Sequence, residues 1–326
     1  MSPPSEEQRR IVLVGHPGHK RVTLFQEALV RRGLPSAHLV SWREVMTTAG
    51  ALRQAVGPGA LVRLESPGQD FEVERLLLAA GAAAAETEDV AASFLPADEA
   101  LRLPFDRGRL LYPRQWYRGL RATLERLADE LADHPNLRWM NHPDDIVILF
   151  DKRRCHQLFV EAGLPVPVGL GAVRSFEELL DRMRTTRCWR VFVKLACGSS
   201  AAGVVAFRVG GPRMQAITTV EIERREGRLL WYNTRRLRRY EDPDQIAPLI
   251  DALCREGVQV EEWLPKAAFQ GEVFDLRVLV IAGAVQHVVP RLSRQPMTNL
   301  HLLNRRGDPE QLRAEIPPEH WQTALE

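Results

Sequence analysis

The sequence has few of the features that are typical of membrane proteins, secreted proteins or zinc-binding proteins. Its four cysteines are scattered and form no Cys-x-x-Cys pair, so zinc-ribbon and thioredoxin-type chemistry have no support. Isolated cysteines of this kind are typical of reduced thiols in the cytosol. The longest apolar run, Leu76 to Ala85, is too short to cross a bilayer, and the first ten residues lack the apolar core of a signal peptide. We therefore expect a cytoplasmic protein with no membrane partner.

A strong net charge is also absent. The 326 residues carry 44 Lys and Arg against 42 Asp and Glu, a net charge of +2, which argues against a nucleic-acid partner. The basic run Arg235 to Arg239 is interpreted as a solvated strand end, with RNA binding as the alternative. Lysine is scarce, because 40 of the basic residues are arginine. Each of the four lysines is therefore a candidate functional residue: Lys20, Lys152, Lys194 and Lys266.

The remaining composition, 45% hydrophobic and 26% charged, is that of a globular protein, and the length suggests roughly two domains. The N-terminal part opens with a β-α-β pattern, which predicts a parallel α/β sheet. Its elements are a strand at 11–15, a helix at 22–32, a strand at 37–40, a strand at 61–64, a helix at 72–80, a helix at 118–131 and a strand at 137–140.

The C-terminal part alternates strands with turns, which predicts antiparallel hairpins. A helix at 152–162 and a helix beginning after Ser175 come first. Strands are expected at 191–195, 204–209, 217–224, 228–235, 258–263, 274–281 and 284–290, with a helix from 243 to about 254. The tip between the first two strands, residues 196–203, consists almost entirely of Gly, Ser and Ala.

Four elements of this part carry residues suited to binding phosphate. Lys194 directly precedes the small-residue loop, whose backbone N–H groups can approach phosphate oxygens; the alternative is a surface hairpin with one exposed lysine. Lys152 begins a helix, where a bound anion is favoured; the alternative is a solvated lysine. Asp275 and Arg277 share one strand face; the alternative is a buried acid–base pair. A cluster of arginines around Arg291, followed by Asn299, is the fourth element.

In this order the elements resemble the ATP-grasp superfamily, most closely its branch of ribosomal-protein glutamate ligases and glutathione synthetases. The resemblance covers about residues 140–305. Upstream, the segments LVRLESPG and YPRQWY are similar to an uncharacterised bacterial subgroup, from which no activity follows. The matching residues are Asp151, Lys152, Leu164 to Pro167, Val193, Lys194, Gly198 to Gly203, Glu261 to Leu264, Asp275, Arg277, Arg291 and Asn299 to His301.

The resemblance implies an α/β (α+β) ATP-grasp fold. An N-terminal parallel α/β domain, residues 1–135, would precede two mainly antiparallel α+β lobes that clasp ATP. The small lobe with the phosphate-binding loop would comprise residues 136–212, and the C-terminal lobe residues 213–326.

The same resemblance implies how ATP would be bound. Lys152 and Lys194 would hold the α- and β-phosphates, and the backbone of Glu262 and Trp263 would recognise adenine with help from Glu261. The loop residues that would close over the β- and γ-phosphates are Gly198, Ser199, Ser200 and Gly203. The residues that would face the nucleotide and the incoming acid are Asp275, Asn299 and the two implied catalytic residues, Arg277 and Arg291.

The sequence departs from the family pattern at two places: one arginine of the pattern is replaced, and the residues that bind the metal are not found. Met297 stands where the family has an arginine, so Arg291 or Arg294 is the expected substitute. Mg²⁺ is expected with ATP because it neutralises charge in phosphoryl transfer. The family's metal ligands include a Glu-x-Asn, and none follows Asn299. The metal-ligating residues are therefore unknown, and the chain is expected to lack the C-terminal metal-binding segment.

The co-substrate site is expected partly in the N-terminal domain. Arg63 and Ser66 follow a predicted parallel strand, and ligands of open α/β sheets bind at the carboxyl ends of strands; the alternative is turn chemistry. Arg294 is the third candidate substrate residue. A segment containing Arg114, Trp116 and Tyr117 could contribute as well, with a packed aromatic cluster as the alternative.

These residues imply an ATP-dependent ligase that joins a carboxylate to an amine through an acyl phosphate. One alternative is an ATP-binding protein that is catalytically inactive or regulatory. The other is a small-molecule kinase on the same scaffold. The implied partners are ATP, a small-molecule or peptide carboxylate, and an amine. The identity of the substrates and the oligomeric state, for which a homodimer is one option, do not follow from the sequence.

Overall fold

A computed structural model describes residues 11–83 and 94–325 of the chain. The first ten residues and the end of the apolar run, at positions 84 and 85, lie outside the described residues. The described backbone divides into two compact units. The N-terminal unit extends to residue 107 and takes in 111–158, and the C-terminal unit comprises 108–110 and the chain from 159 onward.

This division bears on the expected domain boundaries. Residues 136–158, which the resemblance assigns to the small lobe, lie in the N-terminal unit. Strand pairing joins residues on both sides of position 212 within one sheet. The division into three functional domains stays a prediction.

The N-terminal unit contains a four-stranded sheet, called sheet 1, with strand order β2-β1-β3-β4. All three neighbouring pairs are parallel. The strands are short and apolar, and Val12, Leu13 and Val14 are completely buried, as expected for a sheet covered on both faces. The strands are β1 (Ile11–Gly15), β2 (His38–Ser41), β3 (Leu61–Leu64) and β4 (Arg138–Trp139).

Helices follow the strands of sheet 1, and most begin at side chains that cap free backbone N–H groups. Ser41 and Glu44 form a complete capping box, and Asp70 accepts from two backbone N–H groups. The helices are α1 (Lys20–Arg31), α2 (Trp42–Thr47), α3 (Ala51–Ala55), α4 (Phe71–Ala80), α5 (Ala97–Arg102), α6 (Pro113–Glu130), α7 (Pro143–Phe150) and α8 (Lys152–Glu161).

The C-terminal unit contains a five-stranded antiparallel sheet, sheet 2, in the order β8-β7-β6-β5-β9. Alternate residues of β5, Val191, Val193 and Leu195, are buried in a core with helices α9 and α10. The other face of β5 therefore carries Phe192 and Lys194. The elements are α9 (Phe176–Thr185), β5 (Arg190–Leu195), β6 (Val204–Gly210), β7 (Arg213–Arg225), β8 (Arg228–Tyr240), α10 (Pro243–Arg255) and β9 (Val258–Glu262).

A second antiparallel sheet, sheet 3, has the order β10-β11-β12-β13. Its core joins Leu292 to Leu312 and Trp321 from two C-terminal helices. A single turn of 3-10 helix, Leu300–Leu302, precedes β13. The remaining elements are β10 (Ala268–Phe269), β11 (Glu272–Ile281), β12 (Ala284–Ser293), β13 (Arg305–Arg306), α11 (Pro309–Glu315) and α12 (Pro318–Thr323).

The predicted fold class is confirmed, because the chain is a mixed α/β protein in which residues 11–83 and 94–325 form one parallel and two antiparallel sheets. All four cysteines are free thiols. Among the described residues, no helix has both the length and the apolar character that crossing a membrane requires.

Candidate functional site

Lys194 lies on the face of β5 that points away from the core of sheet 2. Its ammonium group forms an ion pair with Glu261 of β9 and lies 5.4 Å from the centre of the Phe192 ring. Both charged side chains are mostly buried, with 25% and 15% of their surface exposed. Lys194 therefore pairs with the Glu261 carboxylate in a partly desolvated position. A bound anion in this position would compete with Glu261 for the Lys194 ammonium group.

The small-residue loop next to Lys194 has a left-handed backbone conformation that glycine adopts more readily than other residues. Ser200, Ala201 and Gly203 all have φ between 54° and 64°, and successive residues of this kind form concave sites for anions. Two buried threonines of β7 fix the loop. Thr219 donates from its hydroxyl to the Ala201 carbonyl oxygen at 2.8 Å, and Thr218 donates to that of Val204 at 2.7 Å.

The tight turn at Gly203 gives a first prediction. At φ +64°, an added Cβ would lie 2.5 Å from Leu195 Cδ1, so we expect Gly203→Ala to lower the free energy of unfolding by about 1–3 kcal/mol. Denaturant unfolding measures this. Gly210→Ala is the matched control, because a Cβ there meets nothing within 4 Å. An equal loss in both variants would contradict the assigned strain.

A network of four polar side chains connects β11, β12 and the segments beside them. Arg291 donates from Nε and Nη2 to the two oxygens of Asp275, at 2.6 and 2.7 Å. Lys266 Nζ donates to Asp275 Oδ2 at 3.3 Å and to the Thr298 hydroxyl at 2.7 Å, and Thr298 donates to the same carboxylate. Asp275 and Arg291 are directly opposite in the strand register. The partner of Asp275 is therefore Arg291, and the alternative of a pair with Arg277 is wrong.

The charges of this network shift two pKa values. Burial acts to raise the pKa of Asp275, but the hydrogen bonds from Arg291 and Thr298 and the charges of Lys266 and Arg291 outweigh it and lower the pKa. Burial lowers the pKa of Lys266, and the positive charges of Arg291 and Lys194 act in the same direction. Lys194 is thus close enough to Lys266 for their charges to interact.

The lowered pKa of Asp275 predicts a pH-dependent contribution to stability. Because the folded-state pKa lies below the ordinary value of 3.8, this contribution is present above that value and is lost as the pH falls through the folded-state pKa. Denaturant unfolding between pH 6 and pH 2 should show a smaller acid-induced loss of stability for Asp275→Asn. The exposed residue Asp129 supplies the control Asp129→Asn, and a pH profile for Asp275→Asn identical to that of the wild type would contradict the assignment.

His301 links this network to the small-residue loop. Burial, with the charges of Arg235 and Arg291, lowers the pKa of its imidazole below the ordinary value, and a hydrogen bond with the backbone of Ser200 acts in the opposite direction. The charges that act on this imidazole therefore come from two strands, β8 and β12.

The segment after β9 joins the site through an apolar cluster. The Trp263 and Phe192 rings are 5.4 Å apart, and both pack against buried Val204, Ala206, Ile217, Met297 and Leu302. The backbone N–H groups of Glu262 and Trp263 already donate to the carbonyl oxygens of Val168 and Arg190. Recognition of adenine by this segment would therefore use its carbonyl oxygens and the N–H of Leu264.

The other predicted C-terminal residues are placed as follows. Arg277 lies on the same face of β11 as Asp275 and is exposed, as is Arg294. Asn299 begins the 3-10 helix, and its carbonyl oxygen accepts from the side chain of Asn304. Met297 is 3% exposed in the apolar cluster. Of the two expected substitutes for the missing arginine, Arg291 is the one that lies in the charged network.

In the N-terminal unit, Arg63 and Ser66 line a cavity of about 280 Å³ at the carboxyl end of β3. The Arg63 guanidinium is paired with buried Glu65, with Nε 2.8 Å from Oε1. Trp116 and Tyr117 pack on the ring of Phe150 at 5.4 and 6.0 Å. The packed aromatic cluster, given above as the alternative for these two residues, is confirmed.

Lys152 also belongs to the N-terminal unit, where it begins α8. The residue before it, Asp151, is 5% exposed and accepts hydrogen bonds from the backbone and guanidinium of Arg153. This buried cap fixes the start of the helix. The role of Lys152 toward a nucleotide stays a prediction.

Sequence reasoning assigned no specific place in this site to Lys266, Thr298, Arg235 or His301. Lys266 was a candidate only because it is one of four lysines in the chain. Thr298 and His301 flank the predicted Asn299, but nothing local indicates that they reach Asp275 and Ser200. Their roles arise from contacts between segments distant in sequence.

The described residues, 11–83 and 94–325, contain no group of three or more His, Cys, Asp or Glu side chains that could hold a metal ion. Both oxygens of Asp275 are already engaged by Arg291, Lys266 and Thr298. These residues do not fit a metal centre of the protein's own, so no step below is derived through a metal. The expectation of Mg²⁺ with the nucleotide stays a prediction.

Comparison with solved structures finds similar folds at low identity. ATP-grasp ligase PsnB in complex with a minimal precursor has a TM-score of 0.46 and 18% identity, over 94% of this chain and 79% of that chain. D-cycloserine synthetase DcsG has 0.43 and 13%, over 92% and 76%. Macrocyclase MdnB from Microcystis aeruginosa MRC has 0.39 and 13%, over 96% and 80%. No family model and no curated protein matches the sequence. The branch of ligases named above stays a prediction.

Proposed function

We propose that the C-terminal unit binds the triphosphate of ATP between Lys194, the 198–203 loop and the Asp275–Arg291 network. The observation that carries this proposal is the position of Lys194, which pairs with Glu261 and lies beside a loop with left-handed backbone at Ser200 and Ala201. The charges of Lys194 and Arg291 also act on Lys266, and those of Arg235 and Arg291 act on His301. The cluster of cations defined by these interactions, Lys194, Lys266, Arg291 and Arg235, pairs within the described part of the chain with two carboxylates, Glu261 and Asp275, so the cluster has positive charge to spare for an anion.

The geometry of the cluster supports an assignment of the phosphates. Lys194 and the left-handed residues Ser200 and Ala201 would contact the β-phosphate, since a lysine and a concave backbone provide donors from two sides. Arg291 would contact the γ-phosphate, with Arg277 on the same sheet face directed to the incoming acid. Adenine would lie against Trp263, whose ring already belongs to an apolar cluster.

The reaction we propose is ATP-dependent ligation of a carboxylate to an amine. A carboxylate oxygen attacks the γ-phosphorus and ADP leaves, which gives an acyl phosphate. The amine then attacks the acyl carbon, and phosphate leaves as the amide forms. Arg277 and Arg291 would stabilise the charge that develops on phosphoryl and carbonyl oxygens. Lys152, Arg63 and Ser66 belong to the N-terminal unit, and their expected roles toward nucleotide and substrate stay predictions.

Trapping of the acyl phosphate tests this reaction directly. The full chain is incubated with ATP, Mg²⁺, hydroxylamine and a panel of carboxylic acids, and hydroxamate and ADP are measured. Ligase chemistry predicts hydroxamate in amounts equal to the ADP released, and only with a suitable acid. A stable phosphorylated product without hydroxamate would identify a kinase. ATP binding with no acid-dependent ADP release would indicate a binding protein without catalysis.

A further inference from the structure

The C-terminal unit contains a second basic region, at the opposite end of β5 from the small-residue loop. It is an open cleft of about 850 Å³. Its polar side is formed by Arg190, Arg208, Arg213, Gln215 and Glu241, and Trp189 stands at its edge. Four residues of extended strand separate Arg190 from Lys194, or about 13 Å at 3.3 Å per residue. The cleft is therefore distinct from the loop and the charged network described above.

The arginines of this cleft face one another without acidic partners. Arg190 and Arg208 are directly opposite in the antiparallel register of β5 and β6, which places their Cβ atoms about 5 Å apart on the same face. Arg213 lies on that face too, because it pairs with Gly210, two residues along from Arg208. Among the ion pairs of the described residues, none includes Arg190, Arg208 or Arg213.

The acidic group of the cleft does not neutralise these arginines. Glu241 accepts a hydrogen bond from the amide of Gln215 at 2.7 Å, and Gln215 is opposite Arg208 in the register. Two other arginines of the same sheet do have acidic partners: Arg225 pairs with Glu223 and Arg238 pairs with Glu221. Three guanidinium groups and one carboxylate leave the cleft with two positive charges in excess. Like charges directly opposite on adjacent strands destabilise a sheet, and a bound dianion would reverse that effect.

The other side of the cleft is apolar. The Trp189 side chain is 48% exposed, and Val209 and Met214, which also line the cleft, belong partly to the core beneath it. A flat or apolar group could pack on the indole while a doubly charged group is held by arginines. The volume of this cleft is within the range of small-molecule sites.

We propose that this cleft binds a small phosphomonoester. Its phosphate dianion is held by Arg190 and Arg208 with support from Arg213, and its apolar group lies on Trp189. Two opposed guanidinium groups can donate to several phosphate oxygens at once, which suits a dianion better than a single carboxylate. This binding is independent of ATP and does not rest on the function proposed above.

Calorimetric titration of phenyl phosphate into the full chain, at constant ionic strength, tests the proposal. We expect Arg190→Gln and Arg208→Gln each to weaken binding at least tenfold. Arg224→Gln, at the far end of the β7–β8 hairpin, is the matched control and should bind as the wild type does. Lys194→Ala and an excess of ATP should also leave phenyl phosphate binding unchanged. Inorganic phosphate should bind more weakly than phenyl phosphate, and Trp189→Ala should remove that difference.

Several results would overturn the proposal. These are no binding to the wild-type chain, displacement of phenyl phosphate by ATP, or equal weakening in Arg224→Gln. Denaturant unfolding without ligand serves as a check on folding. Because Arg190→Gln and Arg208→Gln each remove a repulsion, both variants should be at least as stable as the wild type, so that a loss of binding is not a loss of fold.

Discussion

Replacement of Lys194 by alanine is expected to weaken ATP binding at least a hundredfold. A charge-assisted hydrogen bond to a phosphate contributes about 1.5–3 kcal/mol, and about 1.4 kcal/mol corresponds to a factor of ten. The variant would also leave Glu261, 15% exposed, without its cation and close to the phosphates. The loss of an attraction and the gain of a repulsion act in the same direction. Calorimetric titration of ATP measures the combined effect.

Two further variants separate these contributions. Lys20→Ala is the matched control, because Lys20 is an exposed lysine at the start of α1, and it should bind ATP as the wild type does. The double variant Lys194→Ala, Glu261→Gln removes the unpaired carboxylate and should recover part of the affinity. If Lys194→Ala alone binds ATP with wild-type affinity, the proposed phosphate site is wrong.

Much of the framework around Lys194 could be predicted from the sequence because the signals are local. The apolar run at 191–195 predicted a strand that leads into the small-residue loop, and the structure has β5 at Arg190–Leu195. Asp242 and Pro243 predicted the start of α10, and the structure has Asp242 as its N-cap and Pro243 as its first residue. These features depend on a residue and its near neighbours, so a single sequence suffices to find them.

Some helices were missed even though they carry signals. No element was predicted at 143–150, yet this segment forms α7, with the His142 side chain as its cap and Pro143 as its first residue. Proline is favoured at that position, and the two aspartates that follow favour a helix N-terminus. The sequence therefore contains the signals of this helix start.

The partners of the charged residues could not be predicted, because they depend on strand register. A pair between Asp275 and Arg277, two residues away, was the alternative considered for these residues, but Arg291 is the partner of Asp275 across the sheet. Thr298 and Lys266 reach the same carboxylate from two further segments. The two-residue turn between Ile281 and Ala284 alone would place Asp275 opposite Pro290. An irregularity between Leu279 and Val280 shifts the register by one residue and brings Arg291 opposite Asp275, and nothing in the sequence predicted this shift.

Arg291→Ala is expected to reduce ATP affinity about a hundredfold and ADP affinity less than tenfold. Arg291 is 14% exposed, and its loss removes a proposed γ-phosphate contact. It also leaves Asp275 with Lys266 as its one cationic partner among the described residues. Both effects act most strongly on the phosphate that ADP lacks. Titration of the two nucleotides into wild type and variant gives the ratio of affinities that tests the assignment.

The structural contribution of Arg291 can be separated from its proposed contact with ATP. Asp275→Asn removes the negative charge but also replaces one oxygen that accepts from Arg291 by an NH2 donor. It is therefore informative in combination, and Arg291→Ala with Asp275→Asn should bind ATP better than Arg291→Ala alone. Arg313→Ala, an exposed position in α11, is the matched control. An equal fall in ATP and ADP affinity on Arg291→Ala would show that the arginine only positions Asp275. The γ-phosphate would then have to be held by another cation of the cluster, of which Lys266 lies closest to the same carboxylate.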